Sequence, residues 1–196
     1  MVRKLLSFLV AITYPMVAAY PSEVKSPSWA QIVWHAAKRH GVDPDILMAI
    51  SFVESRHAIG NFLVAPWTFA YRSPNGSKYF KNQKELEKFI IQELLAGVRP
   101  YQMDIGGFQV NARYGREYAP SILSLASPHT NAEVAASMLH DAMQSTKDFA
   151  RGVGRYHSYH DELAIPYGRR VLQIADRIKK LDEQLLKERR LLQNEH

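Results

Sequence analysis

Several stretches of the chain place apolar residues at the spacing of one helix face. The clearest runs from Pro44 to Arg56, where the apolar stripe consists of Ile46, Leu47, Ile50 and Val53. Spacing of i, i+3, i+4 and i+7 predicts a helix with one buried side. Asp43 and Pro44 add a capping residue and a proline at the first helical position. We therefore predict a helix that begins at Pro44.

Four further stretches have helical pattern or helix-capping residues. They are Trp29–His40 between Ser28 and Gly41, Gln83–Ala96 after Asn82, a helix through Val134 and Leu139 that Thr130 or Asn131 caps, and a shorter helix over Asp148–Tyr156. Ser, Thr and Asn side chains can accept hydrogen bonds from the free N–H groups of a first turn. Glycine after the last turn favours a helix end. The chain is therefore predicted to be mainly helical.

Between the Pro44 and Gln83 helices the composition changes to that of strands. Trp67–Tyr71 and Lys78–Phe80 are rich in aromatic residues, and Ser73–Ser77 between them reads Ser-Pro-Asn-Gly-Ser. Such a polar, proline- and glycine-containing segment favours a turn. This pattern predicts a small β-hairpin.

The final part of the chain predicts a charged amphipathic helix that ends near Gln193. Its apolar residues alternate at spacings of three and four: Val171, Ile174, Ile178, Leu181 and Leu185. Two heptads are too few to establish a coiled coil. The first half of the helix could pack on the domain while its tip frays, or the helix could dimerise or bind a partner.

The first 19 residues have the layout of a secretory signal peptide. Arg3 and Lys4 are followed by an uncharged, mostly apolar run, and small residues lead up to Ala19. We expect cleavage after Ala19, an exported protein in the periplasm or cell envelope, and a linker over residues 20–27. The run is short for a membrane span and contains Pro15, so a retained anchor is the less favoured alternative.

Composition and charge narrow the classes of function. The chain has 196 residues, 46% of them hydrophobic, which suits one folded domain with a short appendage. It has no cysteine, and the net charge of +6 falls to +4 without Arg3 and Lys4. The basic C-terminal residues alternate with acidic ones, which argues against nucleic-acid binding. His157 and His160 lack a third placed metal ligand, and we expect no metal or other cofactor.

Glu54 is a carboxylate at the edge of the apolar stripe, four residues after Ile50 and seven after Leu47. A carboxyl group held against apolar side chains loses hydration, which disfavours its charged form. Such a group can stay protonated near neutral pH and act as a general acid. The alternative is a rim position with the carboxylate in water.

A second motif, Asp-Ile-Gly-Gly-Phe-Gln-Val-Asn, spans Asp104–Asn111. Its adjacent glycines permit positive φ and a close approach of ligand to backbone. Together with Glu54 it resembles the soluble lytic transglycosylase family, whose members carry a catalytic Glu-Ser pair and then a Gly-Leu-Met-Gln-[Ile/Val]-Asn motif. Glu54–Ser55 match the first and Gly106–Asn111 the second, with Gly107 and Phe108 in place of Leu and Met.

Further segments extend the resemblance over residues 28–175, in the family's order. They are Gly41–Ile46 at the helix start, Asn131–Ala136, the Arg155–Ser158 segment with His157 where the family has Asn, and Tyr167 followed by Val171. The gap between Glu54 and Gly106 is longer than in the simplest members. Pro66–Thr68 resembles a subgroup in which some members accompany conjugation or secretion machines.

The resemblance implies a lysozyme-like (α+β) domain over residues 28–175, with a small β-hairpin and a helical tail over 176–196. It also implies cleavage of the β-1,4 bond between N-acetylmuramic acid and N-acetylglucosamine in peptidoglycan glycan strands, without a cofactor. One glutamate serves as acid and then as base, and the product is a 1,6-anhydro sugar. Components of a conjugation or secretion machine are the further partners it suggests.

The same resemblance assigns roles to individual residues. Glu54 is the catalytic residue. Ser55 orients Glu54, and Tyr156 bonds near the reacting centre or is a core tyrosine. The expected substrate-binding residues are Ser55, Gly106, Gly107, Phe108, Gln109, Asn111, Tyr156, His157 and Tyr167. Trp67 and Tyr71 are candidates for stacking on sugars, with packing of the hairpin as the alternative.

Two other functions remain open from the sequence. A hydrolytic muramidase would share the fold and Glu54 but would activate a water with a second acid, for which Asp104 and Glu117 are candidates. A non-catalytic protein would bind peptidoglycan and assist assembly of an envelope machine.

Overall fold

The computed structural model describes residues 26–60 and 63–194. The predicted signal peptide over 1–19 lies outside the described residues, as does most of the predicted linker. The described chain is mainly helical with small antiparallel sheets. The helices are α1 (Trp29–His40), α2 (Pro44–Ser55), α3 (Gln83–Leu95), α4 (Ala112–Tyr118), α5 (Pro128–Gln144), α6 (Phe149–Gly154) and α7 (Asp161–Asn194). The strands are β1 (Arg56–Gly60), β2 (Leu63–Pro66), β3 (Ala70–Ser73), β4 (Gly76–Tyr79), β5 (Asp104–Ile105) and β6 (Val110–Asn111).

The first two helices begin and end where their capping residues predict. Ser28 and Gln31 form a capping box at the start of α1, and Gly41 ends the helix with a φ of 67°. Asp43 accepts hydrogen bonds from the N–H groups of Asp45 and Ile46 at the start of α2. These helices were predicted correctly because their end signals are local.

The strands form two small antiparallel sheets. Strands β1 and β2 pair with each other, and the second sheet has the order β4-β3-β5-β6. The predicted hairpin is confirmed as β3–β4, although its first strand starts later and its second strand earlier than expected, with a tighter turn at Pro74 and Asn75. The β1–β2 hairpin was not predicted.

Helix α5 begins earlier than predicted, and the expectation that Thr130 or Asn131 caps it is wrong. Its N-cap is Ser127, and Pro128 occupies the first turn. Asn131 instead lies inside the helix and is buried. Its side chain is therefore free to bond to a neighbouring loop.

Helix α7 packs on the domain through its first half, in agreement with the first of the two interpretations of its sequence. Val171 and Ala175 are buried in the core, whereas Leu181 and Leu185 are more than half exposed. The helix continues without interruption through residues 175 and 176, so its tail is the outer part of one long helix. Within residues 26–60 and 63–194, no helix has the length and apolar character needed to cross a membrane.

Glycines bring α6 and α7 unusually close together. A Cβ atom at Gly154 would collide with the backbone of Ala164, and one at Gly168 would collide with the backbone of Ala150. Contacts between backbones at this range need residues without side chains. The close crossing fixes the position of the α7 residues next to Gly168.

Candidate active site

Glu54 lies in the last turn of α2 and faces a cleft of about 370 Å³. The apolar side of the same helix, which includes Leu47 and Ile50, is fully buried in the core. The helix therefore holds the Glu54 carboxyl at the boundary between the core and the cleft. The carboxyl group is therefore partly buried but open to a ligand in the cleft.

Tyr167 of α7 supplies the hydrogen-bond partner of Glu54. Its hydroxyl donates to Glu54 Oε1 over 2.6 Å. The His157 ring lies flat against the Tyr167 ring, with 4.7 Å between centroids and 4° between planes. The phenol is thus held from one end by the carboxyl and along its face by the imidazole.

Burial raises the pKa of the Glu54 carboxyl above its ordinary value. The hydrogen bond from Tyr167 and the electrostatic effects of His157 and Arg72 lower this pKa, and the electrostatic effect of Asp104 adds to the rise. Burial also raises the pKa of the Tyr167 hydroxyl, as does the neighbouring Glu54 charge, so the phenol remains a neutral donor. The carboxyl is therefore arranged to hold a proton more strongly than an exposed glutamate.

The turn between β5 and β6, Gly106–Gln109, is a fixed part of the site. Gly106 has a φ of 80° and Gln109 a φ of 47°, and the Gln109 amide donates back to the Gly106 carbonyl over 2.9 Å. Asn131 accepts from the N–H of Phe108 and donates to the Ile105 carbonyl, over 3.0 and 2.8 Å. A buried amide thus holds the backbone of the turn and of the residue before it.

Ser55 and Tyr156 also hold this turn in place. The Ser55 hydroxyl is buried and donates to the Gly107 carbonyl over 2.7 Å, rather than to the Glu54 carboxyl. The Tyr156 hydroxyl donates to the Phe108 carbonyl over 2.9 Å. These bonds connect the end of α2 and the segment after α6 to the same turn. Ser55 is therefore placed to position the turn next to Glu54.

The predicted binding residues divide into two groups. The residues that line the cleft are Glu54, Gln109, Asn111, Tyr156 and His157. Tyr167 contacts this lining through its hydrogen bond to Glu54. Ser55, Gly106, Gly107 and Phe108 are buried behind the lining. The Phe108 ring packs against Trp29, with 5.2 Å between centroids. The buried members support the site from within the core and leave contact with a ligand to the lining residues.

The cleft lining also includes residues that were not predicted to bind substrate. Arg72 of β3 pairs with Asp104 over 2.9 Å, and Asn111 donates to the other Asp104 oxygen over 2.9 Å. Tyr101 and Tyr114 expose 55% and 43% of their surface and line the cleft, as do Arg113, Val110 and Met138. Flat, exposed phenol rings suit stacking on sugar rings. Tyr101 and Tyr114 lie outside the recognised sequence motifs, so only the folded chain shows that they are close to each other.

The expectation that Tyr71 stacks on a sugar is wrong. Tyr71 is buried, and its hydroxyl donates to the buried carboxylate of Glu93 over 3.1 Å. Trp67 packs against His57 and Tyr79, and its indole N–H donates to the Phe80 carbonyl over 2.8 Å. Both residues therefore stabilise the hairpin region, which was the alternative interpretation.

In the part of the chain that the structure describes, no group of three or more His, Asp or Glu side chains could hold a metal ion. Comparisons of the chain with family models, with curated proteins and with solved structures find no match.

Proposed function

We propose that the protein is a lytic transglycosylase with a lysozyme-like domain. It cleaves the β-1,4 bond between N-acetylmuramic acid and N-acetylglucosamine in peptidoglycan. The observation that carries the proposal is the Glu54 carboxyl, partly buried at a cleft, with a raised pKa and a hydrogen bond from Tyr167. The resemblance of the Glu54–Ser55 and Gly106–Asn111 segments to the family's motifs supports the same assignment.

In the first step, protonated Glu54 donates its proton to the glycosidic oxygen, and the bond from that oxygen to C1 of the muramoyl sugar breaks. The carbonyl oxygen of the sugar's acetamido group bonds to C1 and stabilises the positive charge. A carboxyl group with a raised pKa is suited to this step, because it keeps its proton to a higher pH than an exposed glutamate does.

In the second step, the Glu54 carboxylate takes the proton of the sugar's 6-hydroxyl group. The 6-oxygen then bonds to C1, the acetamido oxygen leaves C1, and the product is a 1,6-anhydro sugar. No water enters, and Glu54 is protonated again. The hydrogen bond from Tyr167 supports the first step instead, because it stabilises the carboxylate that forms when Glu54 donates its proton.

Exposed groups of the cleft are assigned to substrate binding. Tyr101 and Tyr114 offer aromatic faces to the sugar rings, and Gln109 offers an amide to an acetamido group. The export of the protein to the cell envelope and its association with a conjugation or secretion machine are part of the same proposal, and they rest on the resemblance and on the N-terminal pattern.

A hydrolytic muramidase is the second candidate, because a second carboxylate, Asp104, lines the cleft with Glu54. Hydrolytic enzymes commonly use such a pair. Both Asp104 oxygens already accept hydrogen bonds, one from Arg72 and the other from Asn111. A carboxylate held in this way is a weaker base towards water, which favours the transglycosylase.

The two candidates are separated by incubating the protein with purified peptidoglycan in isotopically labelled water, followed by mass spectrometry of the soluble products. A transglycosylase gives anhydro products one water lighter than hydrolytic products and without label. A muramidase gives labelled reducing ends. The Glu54→Gln variant should lose the products, and the exposed control Glu183→Gln should retain them. Labelled products that disappear in Asp104→Asn would establish the muramidase instead.

A further inference from the structure

A second cavity, of about 410 Å³, opens beside the cleft. Both are lined by Tyr114, Met138, Tyr156 and His157, so the two open spaces adjoin each other. A ligand that occupies the cleft can therefore extend into this second cavity. Its remaining lining comes from α4, α5 and the segment that follows α6.

The lining of the second cavity carries charges of both signs. Glu117 of α4 and Asp141 of α5 contribute carboxylates, and Arg155 contributes a guanidinium group. The Tyr118 hydroxyl donates to Asp141 over 3.2 Å. Burial raises the pKa of the Tyr118 phenol, and the hydrogen bond to Asp141 and the charges of Asp141 and Glu117 raise it further.

Arg155 is held in place by its own contacts. One nitrogen of its guanidinium group donates to the Ser145 carbonyl and hydroxyl, each over 2.7 Å. The Tyr159 ring, which exposes 64% of its surface, lies 5.4 Å from the centre of the group. The cation is therefore positioned at the wall of the cavity by fixed partners.

A glycan strand alone does not match this lining. Its N-acetylated sugars carry no ammonium group, whereas the peptide stem attached to the muramoyl sugar carries both ammonium and carboxylate groups. Carboxylate side chains bind ammonium groups, and a guanidinium group binds carboxylates. We propose that the second cavity binds the peptide stem, with its amine at Glu117 and Asp141 and a carboxylate at Arg155. This inference rests on the proposed function.

The kinetic test compares peptide-bearing glycan strands with the same strands after an amidase has removed the stems, which leaves a lactyl carboxylate in place of each stem. The variant is Glu117→Gln combined with Asp141→Asn, in which the amide still accepts the Tyr118 hydrogen bond. We expect the ratio of kcat/KM on peptide-bearing strands to kcat/KM on stripped strands to fall about tenfold. The exposed control Glu183→Gln should leave this ratio unchanged.

An equal decrease in kcat/KM on both substrates would overturn the proposal and assign the cavity to the saccharide cleft. An unchanged ratio without loss on either substrate would also overturn it. Circular dichroism and thermal unfolding of the double variant verify that the comparison is made between folded proteins.

A binding measurement separates this inference from the proposed function. Isothermal titration calorimetry of a free stem tetrapeptide with Glu54→Gln protein needs no catalysis. Binding that weakens about tenfold when Glu117→Gln and Asp141→Asn are added supports the cavity assignment, even if the wild-type protein cleaves no glycan. Absence of tetrapeptide binding to the Glu54→Gln protein would contradict the cavity assignment and leave the cleavage experiment to decide the proposed function.

Discussion

At the scale of single residues, Glu54 and Tyr167 form a hydrogen bond with each other at the edge of the core. The two groups are 113 positions apart in the chain, yet 2.6 Å separates their oxygens. A hydrogen bond donated to a carboxylate stabilises its charged form, whereas burial favours the neutral form. The balance of the two effects leaves the pKa of Glu54 raised.

Replacement of Tyr167 by Phe removes the donor and keeps the ring that stacks on His157. The pKa of Glu54 should then rise further, because its charged form loses a stabilising bond. We expect the alkaline limb of the pH–kcat profile to move to higher pH, and kcat to fall about 10- to 100-fold from loss of positioning. A limb that moves to lower pH would show that Tyr167 does not stabilise the carboxylate.

The raised pKa of Glu54 also makes stability depend on pH. The folded protein holds this proton more tightly than the unfolded chain does, so the contribution is complete below the unfolded pKa and is lost as pH rises through the folded pKa. Glu54→Gln should therefore have little effect on Tm at low pH. Above the folded pKa it should raise Tm by about 2–4 °C, the shift that 1 kcal/mol gives in a chain of this size.

Thermal unfolding followed by circular dichroism over a pH series measures this difference. The exposed Glu183→Gln variant is the control, and its Tm should follow that of the wild type across the series. A Glu54→Gln advantage that shrinks with increasing pH would contradict the sign of the shift.

The sequence indicated Glu54 because a carboxylate at the edge of an apolar stripe is a local signal. It could not indicate Tyr101, Arg113 or Tyr114, which stand in no periodic pattern and meet Glu54 only through the folded chain. The role of Tyr167 came from resemblance, and its bond to Glu54 needed the position of α7. The candidate role of Tyr71 in sugar stacking was wrong because the composition of a strand does not show whether its aromatic residues are exposed or buried.

At the scale of elements, the Gly106–Gln109 turn is the part most constrained by its surroundings. Three side chains, those of Ser55, Asn131 and Tyr156, bond to its backbone or its flanks. A Cβ atom at Gly107 would lie 2.7 Å from the Trp29 ring. The turn therefore has little freedom to change residue type or conformation.

Gly106→Ala tests this constraint against a matched control, Gly97→Ala. Both glycines have positive φ, of 80° and 90°, but a Cβ at Gly97 meets open space and one at Gly106 collides with the Asn131 amide. We expect a loss in the free energy of unfolding of about 1 kcal/mol for Gly97→Ala and about 2–5 kcal/mol for Gly106→Ala. Urea denaturation of both variants gives the comparison, and equal losses would mean that Asn131 moves aside without cost.

The helices could be predicted where their ends have local signals, as in α1 and α2. The start of α5 was misplaced because the cap was predicted at Thr130 or Asn131, whereas Ser127-Pro128 also signals a helix start. The β1–β2 hairpin was missed although the dipeptide Gly60-Asn61, whose glycine ends β1, is a known hairpin signal. The two-residue strands β5 and β6 depend on pairing with β3 and with each other, which no local pattern shows.

At the scale of the whole molecule, α7 joins parts of the chain that are distant in sequence. It packs against α2 and α6, and it carries Tyr167 to the end of α2. Its outer half contributes exposed leucines and charged residues rather than core. Stability and site geometry should therefore depend on the first half of the helix alone.

Removal of residues 181–196 tests this division. Ile178 remains packed against the core in the shortened chain, and the removed leucines are exposed. We expect a change in Tm of less than about 4 °C, equivalent to about 1 kcal/mol for a chain of this size. A larger loss in dilute solution, together with a change in molecular mass by light scattering, would favour the dimerising interpretation of this helix.

The hydrogen bond between α2 and α7 also has a consequence for the order in which the chain is made. A ribosome adds Glu54 long before it adds Tyr167, which lies 113 positions later. A nascent or prematurely terminated chain that ends before Tyr167 would carry the acid without its hydrogen-bond donor. Synthesis of the chain thus delivers a complete site only after α7 has begun to form.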